Sequence, residues 1–181
     1  MVTFAAESLP RIAAGIILRR LTTADLPAFQ AYRSDAQLGL YQGWSPMSDE
    51  EALAFLSEMS TAPLFRPGSW TQIGIAEAPS HSLSGDIGLF LAEDSRHAEI
   101  GFTLSRHAQG RGVATTAVRE AIKLIFDCTS VDRVLGITDV RNSASVRLLE
   151  RVGMDRIEAR NTVFRGEPCE EWVYAVARGD G

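Results

Sequence analysis

Apolar and polar positions along the chain follow two periods, and the switch from one to the other marks out the elements. "HAEIGFTL" (His97 to Leu104) has period two, with Ala98, Ile100, Phe102 and Leu104 on one face and Glu99, Gly101 and Thr103 on the other. That predicts a half-buried strand carrying one carboxylate. "SDEEALAFLSEM" has the helical period: Ala52, Phe55, Leu56 and Met59 recur at i, i+3, i+4, i+7 behind a Ser48/Glu51 capping box. A second helical stripe, Ala114, Ala117, Val118, Ala121, Ile122 and Ile125, follows a pair of glycines. "NSASVRLLERVG" predicts a short helix stopped by Gly153, and "TTADLPAF" predicts one that Thr22 or Thr23 caps with Asp25 in its first turn. Strands are predicted for "IILRRL" (Ile16 to Leu21), "WTQIGIAEA", "DIGLFLA", "RVLGIT" and "EEWVYAVA", with "YQGWSPM" as a loop and "SHSLSG" as a turn-rich link. Strands both succeed one another and alternate with helices. The expectation is a mixed sheet in a single α/β or α+β domain spanning residues 1–181.

Composition narrows the class. A chain of 181 residues with 45% hydrophobic content can bury one sizeable core. No apolar run approaches the roughly 20 residues that span a bilayer, and "MVTFAAESLPRIAAG" lacks the early positive charge of a secretory signal. A cytoplasmic protein with no membrane partner is expected. Cys128 and Cys169 have neither metal-ligand spacing nor the numbers of a disulfide framework, so both read as reduced thiols. The net charge of −5 argues against direct nucleic-acid binding and fits a cationic partner. Arg106, Arg111, Arg141, Arg147 and Arg151 nevertheless cluster in one half of the chain, where a solvated helix face and an anion contact are both open readings.

"QGRGVATTAVREAI" (Gln109 to Ile122) sits between the carboxylate-bearing strand and the second helical stripe. Strand, glycine loop, helix is an arrangement that turns unpaired N–H groups and a positive dipole end toward an anion. The spacing is neither that of a P-loop, since no lysine follows the second glycine, nor that of a dinucleotide fingerprint. On chemistry alone a phosphate site and a packing turn both stand.

Gln109, Gly112 and Ala114 fit a Q/R-x-x-G-x-G/A pattern, and the chain here resembles the GNAT superfamily of acyl-CoA-dependent N-acyltransferases. "NSASVRLLERVGM" and "WSPMSDEEALAFL" are similar to segments of the branch that holds the ribosomal-protein alanine and serine N-terminal acetyltransferases. The resemblance runs from about Ile16 to Arg178 and implies a GNAT-like, mixed, mostly antiparallel twisted sheet flanked by helices. It implies acetyl-CoA as cosubstrate, with no metal. Its pyrophosphate would lie on the segment Gln109, Gly110, Arg111, Gly112, Val113 and Ala114, with Arg106 and Arg111 as candidate charge partners. The pantetheine arm would pair with backbone around Phe102, Thr103 and Leu104, and Asn142 would bind pantetheine or the acid while capping its helix.

Acyl transfer to an amine needs a neutral nucleophile, a polarised carbonyl and a proton donor for the thiolate, with no covalent enzyme intermediate. An α-amine, with a pKa of about 8, is neutral near pH 7 far more often than a lysine amine at about 10.4. By resemblance Glu99 is the base candidate, against the plainer reading of a surface or ion-paired carboxylate. Many GNAT enzymes carry a tyrosine acid where this chain has Leu149; the branch resembled here instead has a serine at Ser145 as acid. A serine near the start of a helix also reads as part of its cap. Tyr41 and Trp44 are the candidate acceptor-binding residues, and Trp70 and Tyr174 are pocket or core aromatics. His107 reads as a bystander, and His81 and His97 as turn residues without a signal. The reading is an acetyl-CoA-dependent N-acetyltransferase acting on a primary amine: a protein N-terminus or a small amine such as an aminoglycoside or polyamine. It is expected to be a monomer or homodimer. The rivals are a non-catalytic acyl-CoA sensor or interaction module and, disfavoured by the absent lysine, a nucleotide-phosphate binder. Acceptor choice is assigned to the loop Tyr41 to Trp44 and the hairpin near Phe164 to Glu171.

Overall fold

The computed structural model describes residues 9–179, so what was expected of residues 1–8 and 180–181 lies outside the described residues. The described residues form the strands β1 (Arg11–Ala13), β2 (Ile16–Arg20), β3 (Ser69–Glu77), β4 (Ser82–Leu91), β5 (His97–Leu104), β6 (Arg133–Asp139), β7 (Asp155–Phe164) and β8 (Glu167–Ala177). The helices are α1 (Leu26–Arg33), α2 (Asp49–Thr61), α3 (Val113–Cys128) and α4 (Ser143–Arg151). The strands make one sheet in the order β1-β2-β3-β4-β5-β6-β8-β7. Every neighbouring pair is antiparallel except β5 and β6.

Helix stripes cover both faces. Ala117, Val118, Ala121, Ile122 and Ile125 of α3, with Leu148 and Leu149 of α4, pack on Ile16, Leu18, Ile73, Ile75, Ile87, Leu89 and Ile100. Phe29 and Tyr32 of α1 and Ala52, Leu56 and Met59 of α2 close over Leu21 and Leu83 on the other side. Each fully buried aliphatic or aromatic side chain contributes about 1.5–3 kcal/mol relative to exposure. The Ser48/Glu51 capping box forms as the sequence predicts, with Glu51 N–H donating to Ser48 Oγ at 3.2 Å and Ser48 N–H to Glu51 Oε2 at 2.7 Å. Thr22 is the cap of the first helical segment, which opens as a 3-10 turn over Thr23–Asp25 before α1.

Three elements differ from expectation. β1 precedes the first predicted strand through a two-residue turn in which Ala14 and Gly15 both take positive φ (45° and 82°), the primed geometry that matches strand twist. The link "SHSLSG" is largely strand, because His81 at φ 61° completes the turn and β4 begins at Ser82. β7 is an edge strand exposed along nearly its whole length, so it carries no apolar alternation to read. Among the described residues no helix is long and apolar enough to cross a membrane.

Candidate active site

The parallel pair β5–β6 is the break in the sheet. It is in register only over His97↔Arg133, Ala98↔Val134 and Glu99↔Leu135, after which the strands part. β5 stays bonded to β4 on its other side: Ser105 N–H donates to Ser84 O at 2.8 Å and Ala92 N–H to His97 O at 3.0 Å. Backbone groups alternate in direction along a strand, so the odd-numbered residues of β5 face β4 and those of Ile100, Phe102 and Leu104 face the opening. Thr103, expected to offer backbone there, directs it to β4 and presents its hydroxyl to the Trp44 indole N–H at 3.1 Å. Two carbonyls on the open edge are held by side chains, Phe102 O by Gln42 Nε2 at 3.2 Å and Leu104 O by Gln109 Nε2 at 3.0 Å. Gln109, a residue of the expected pyrophosphate segment, thus supports the end of β5 with its side-chain amide.

The glycine loop follows at once. Gly110 and Gly112 have φ of 75° and 76°, and Gly112 is the N-cap of α3. A Cβ at either would meet nothing within 4 Å. Glycine is required there by left-handed backbone rather than by crowding, and the clear space in front is what a phosphate would fill. Among the described residues no side chain caps α3, so the amides from Gly112 through Ala114 keep the unpaired donors of a helix start. The two candidate arginines are already engaged: Arg106 is held by the Asp35 carboxylate and by Gln37 Oε1 at 2.8 Å, and Arg111 by Glu77 Oε1 at 2.7 Å. Arg106 pulls the Asp35 carboxyl down to about 2. The Glu77 carboxyl lies below its usual range because Ser84, and then Arg111, donate to it.

Two cavities meet at the opening and share Tyr41, Gln42, Ile100, Gly101, Phe102, Ile137 and Thr138. The smaller, about 50 Å3, is finished by Asn142, Ser145 and Leu149. Here the cap question resolves by atom: Asn142 Oδ1 accepts from the Ser145 backbone N–H at 3.3 Å, while the Ser145 hydroxyl is outside that bond. The larger, about 580 Å3, lies on the α1/α2 face and is lined by Glu99, Trp44 and Trp70 among others. Glu99 stands 3.8 Å from His97 Nε2, its neighbour on the same strand face, so His97 lies in β5 beside Glu99 rather than in a turn. Tyr174 lies in the core at 1% exposure and donates to Glu150 Oε1 at 3.1 Å, which removes it from the acceptor side.

Sequence reasoning missed the polar base of the larger cavity. Asp86, 1% exposed, accepts from Arg33 Nη2 at 2.8 and 2.9 Å, from Tyr32 Oη at 2.5 Å and from Gln72 Nε2 at 3.2 Å. Burial, reinforced by Asp86, pushes the Tyr32 phenol well up, so it remains a donor. The Arg33 guanidinium stacks 4.6 Å from the Trp44 ring centroid and fixes the loop that bears it. Arg165, in the β7–β8 turn, donates to Trp44 O at 2.8 Å and clasps the same loop. Asp139 is paired with Arg141, whose Nη2 lies 2.7 Å away and draws the carboxyl down. Cys169 is a free, half-buried cysteine. No group of three or more His, Cys, Asp or Glu stands together as a metal cage among the described residues.

The open edge of β5 beside the single parallel strand pair, leading to the start of α3, is the arrangement that the resemblance to the GNAT superfamily implies, and comparison identifies that family. The family model "Acetyltransferase (GNAT) domain" matches residues 16–155. The chain belongs to the GNAT acetyltransferase family and is an acyltransferase. The Bacillus subtilis (strain 168) protein named uncharacterized N-acetyltransferase YoaA is 26% identical over 167 residues, covering 90% of this chain and 93% of its own. A GNAT-family acetyltransferase structure from Bacillus anthracis superposes with a TM-score of 0.82 at 20% identity, over 93% of this chain and 98% of that one. RimL, a ribosomal L7/L12 alpha-N-protein acetyltransferase in complex with coenzyme A, gives a TM-score of 0.76 at 17% identity, covering 92% and 96%.

Proposed function

We propose that the chain moves the acetyl group of acetyl-CoA directly to a primary amine, with Glu99 and Ser145 on opposite sides of the β5–β6 opening as base and acid. The observation that carries this is the continuity of the open β5 edge with the uncapped start of α3, flanked by one cavity holding Ser145 and another holding Glu99. In this reading the amides from Arg111 to Ala114 take the pyrophosphate, and the groups of Phe102 and Leu104 take the pantetheine arm as an added strand. Gln42 then gives up Phe102 O to the pantetheine amide, an exchange of one donor for another. Acetyl-CoA supplies an activated acyl group; backbone groups hold it and side chains move the protons. Glu99 accepts the amine's proton, directly or through water, and the Ser145 hydroxyl donates to the departing thiolate. Asn142 holds the α4 start, and so the serine, in place.

A second product, free CoA thiol, makes the test simple. Wild-type protein with acetyl-CoA and a set of amines and short peptides should release thiol in step with an acetylated amine seen by mass spectrometry. Tight acetyl-CoA binding with no transfer to any acceptor would instead support a non-catalytic acyl-CoA sensor.

A further inference from the structure

The larger cavity, with Glu99 at its sheet side, has an acceptor chemistry written into its walls. We infer that the acceptor is a primary amine with one positive charge and a large apolar group beside it, seated on a floor made by Gly101 and the Trp70 ring beside it. This rests on the acetyl-transfer reading above and specifies its substrate class.

Gly88 and Gly101 face each other in register on β4 and β5. Neither has a positive φ, so backbone conformation does not call for glycine at either place. A Cβ at Gly101 would meet only Trp70 Cζ3, at 4.0 Å, and so would project into open cavity. One at Gly88 would strike Gln72 Oε1 at 2.5 Å and the Trp70 ring at 3.1 Å. Gln72 and the Trp70 ring therefore occupy the space over Gly88, whereas Gly101, a glycine inside a strand that weakens it, leaves a hollow where another group can approach the backbone. Around that hollow stand Trp44, Met47, Phe55, Met59, Trp70 and Phe164. Trp70 is 50% exposed, although it sits within a sheet strand, and its ring overhangs both glycines. The volume, about 580 Å3, lies in the range of about 300–1,000 Å3 typical of small-molecule sites.

Charge sets the other half of the specificity. Four carboxylates line this cavity: Asp86, Glu99, Asp139 and Glu171. Asp86 is paired with Arg33, Asp139 with Arg141, and Glu171 with Arg160 at 3.3 Å. Among the described residues Glu99 has only His97, at 3.8 Å. The cavity therefore offers one carboxylate to an incoming ammonium, and a second or third cation would sit beside apolar rings or neutralised pairs. Burying an unpaired charge is costly, which sets this site against polyamines and aminoglycosides. A peptide N-terminus beginning with a bulky apolar residue and an arylalkylamine share the chemistry that it fits.

The test compares phenethylamine, a tripeptide amide starting with Phe, ethylamine, spermidine and kanamycin as acceptors for the wild-type enzyme, with acetyl-CoA affinity measured by calorimetry. At least one of the two aromatic acceptors should exceed spermidine and kanamycin in kcat/KM by about tenfold or more. Turnover of the peptide alone marks a polypeptide N-terminus as the source, and turnover of phenethylamine alone marks a free amine. Gly101→Leu, which fills the floor, should lower the ratio of kcat/KM for the aromatic acceptor that is turned over to that for its small counterpart (ethylamine, or a tripeptide amide starting with Ala) by about tenfold, and Gly101→Ala should lower it less. Should Gly101→Leu fail to fold, the wild-type ranking and Gly101→Ala still decide. Preference for spermidine or kanamycin, or a ratio that Gly101→Ala and Gly101→Leu leave unchanged, overturns the inference while leaving acetyl transfer intact. An enzyme that does not bind acetyl-CoA, or that acetylates no amine, overturns the reading on which it rests.

Discussion

Replacing Ser145 by alanine removes one hydroxyl and leaves the cap bond in place. In α4 the bond is made by the Ser145 backbone N–H to Asn142 Oδ1, at 3.3 Å, and alanine keeps that N–H. The side chain is partly exposed at the opening, so the substitution buries no polar atom and empties little volume. Its expected cost in stability is within about 0.5 kcal/mol, roughly 1–2 °C in a domain of this size. A lost general acid, by contrast, lowers kcat by about 10²–10⁴-fold. Asn142→Ala is the matching control, since it deletes the capping acceptor and should cost on the order of 1 kcal/mol. Steady-state kinetics by thiol release, calorimetry with acetyl-CoA and thermal melts on the same preparations give the three readings. The expected pattern for Ser145→Ala is lost turnover, near-normal acetyl-CoA affinity and an unchanged melting temperature. Near-normal kcat in a folded variant refutes the acid role, and a stability loss as large as that of Asn142→Ala refutes the atom-level division of labour.

The other predictions touch the remaining parts of the site. Gly112→Val should reduce acetyl-CoA affinity by more than tenfold, about 1.4 kcal/mol, because a β-branched residue is strained at φ 76° and its side chain would enter the space left for phosphate; calorimetry on a folded variant checks this. The wild-type rate should rise with pH as the acceptor loses its proton, around pH 8 for an α-amine, and Glu99→Gln should lower the high-pH plateau. Superimposed profiles would make Glu99 structural. Asp86→Ala strands the Arg33 guanidinium at 2% exposure and should destabilise the fold by about 3–5 kcal/mol in chemical denaturation.

Local devices were legible and distant ones were not. The Ser48/Glu51 box, the stop at Gly153 and the α3 stripe each depend on residues within a few positions of one another, so a single sequence displays them. The β1–β2 turn escaped because Ala14, not the usual Asn or Asp, occupies a left-handed position. β7 escaped because a strand exposed on both faces has no apolar alternation. The arginines beside the glycine loop read as phosphate partners, yet Arg106 finds Asp35 across 71 positions and Arg111 finds Glu77 across 34. Such pairs form only when the sheet brings them together, as does the Arg33–Asp86 base of the larger cavity. His97 was readable in principle: it lies two residues before Glu99 in a strand, hence on the same face.

A crystal structure of the wild-type protein with acetyl-CoA tests the account most directly. The account predicts the pyrophosphate within hydrogen-bonding distance of the amides between Arg111 and Ala114, and the pantetheine arm paired with the open edge of β5 at Phe102 and Leu104 with Gln42 displaced. The thioester should lie in the β5–β6 opening between Glu99 and Ser145. Acetyl-CoA bound with its pyrophosphate away from the α3 start, or its thioester away from that opening, would contradict it.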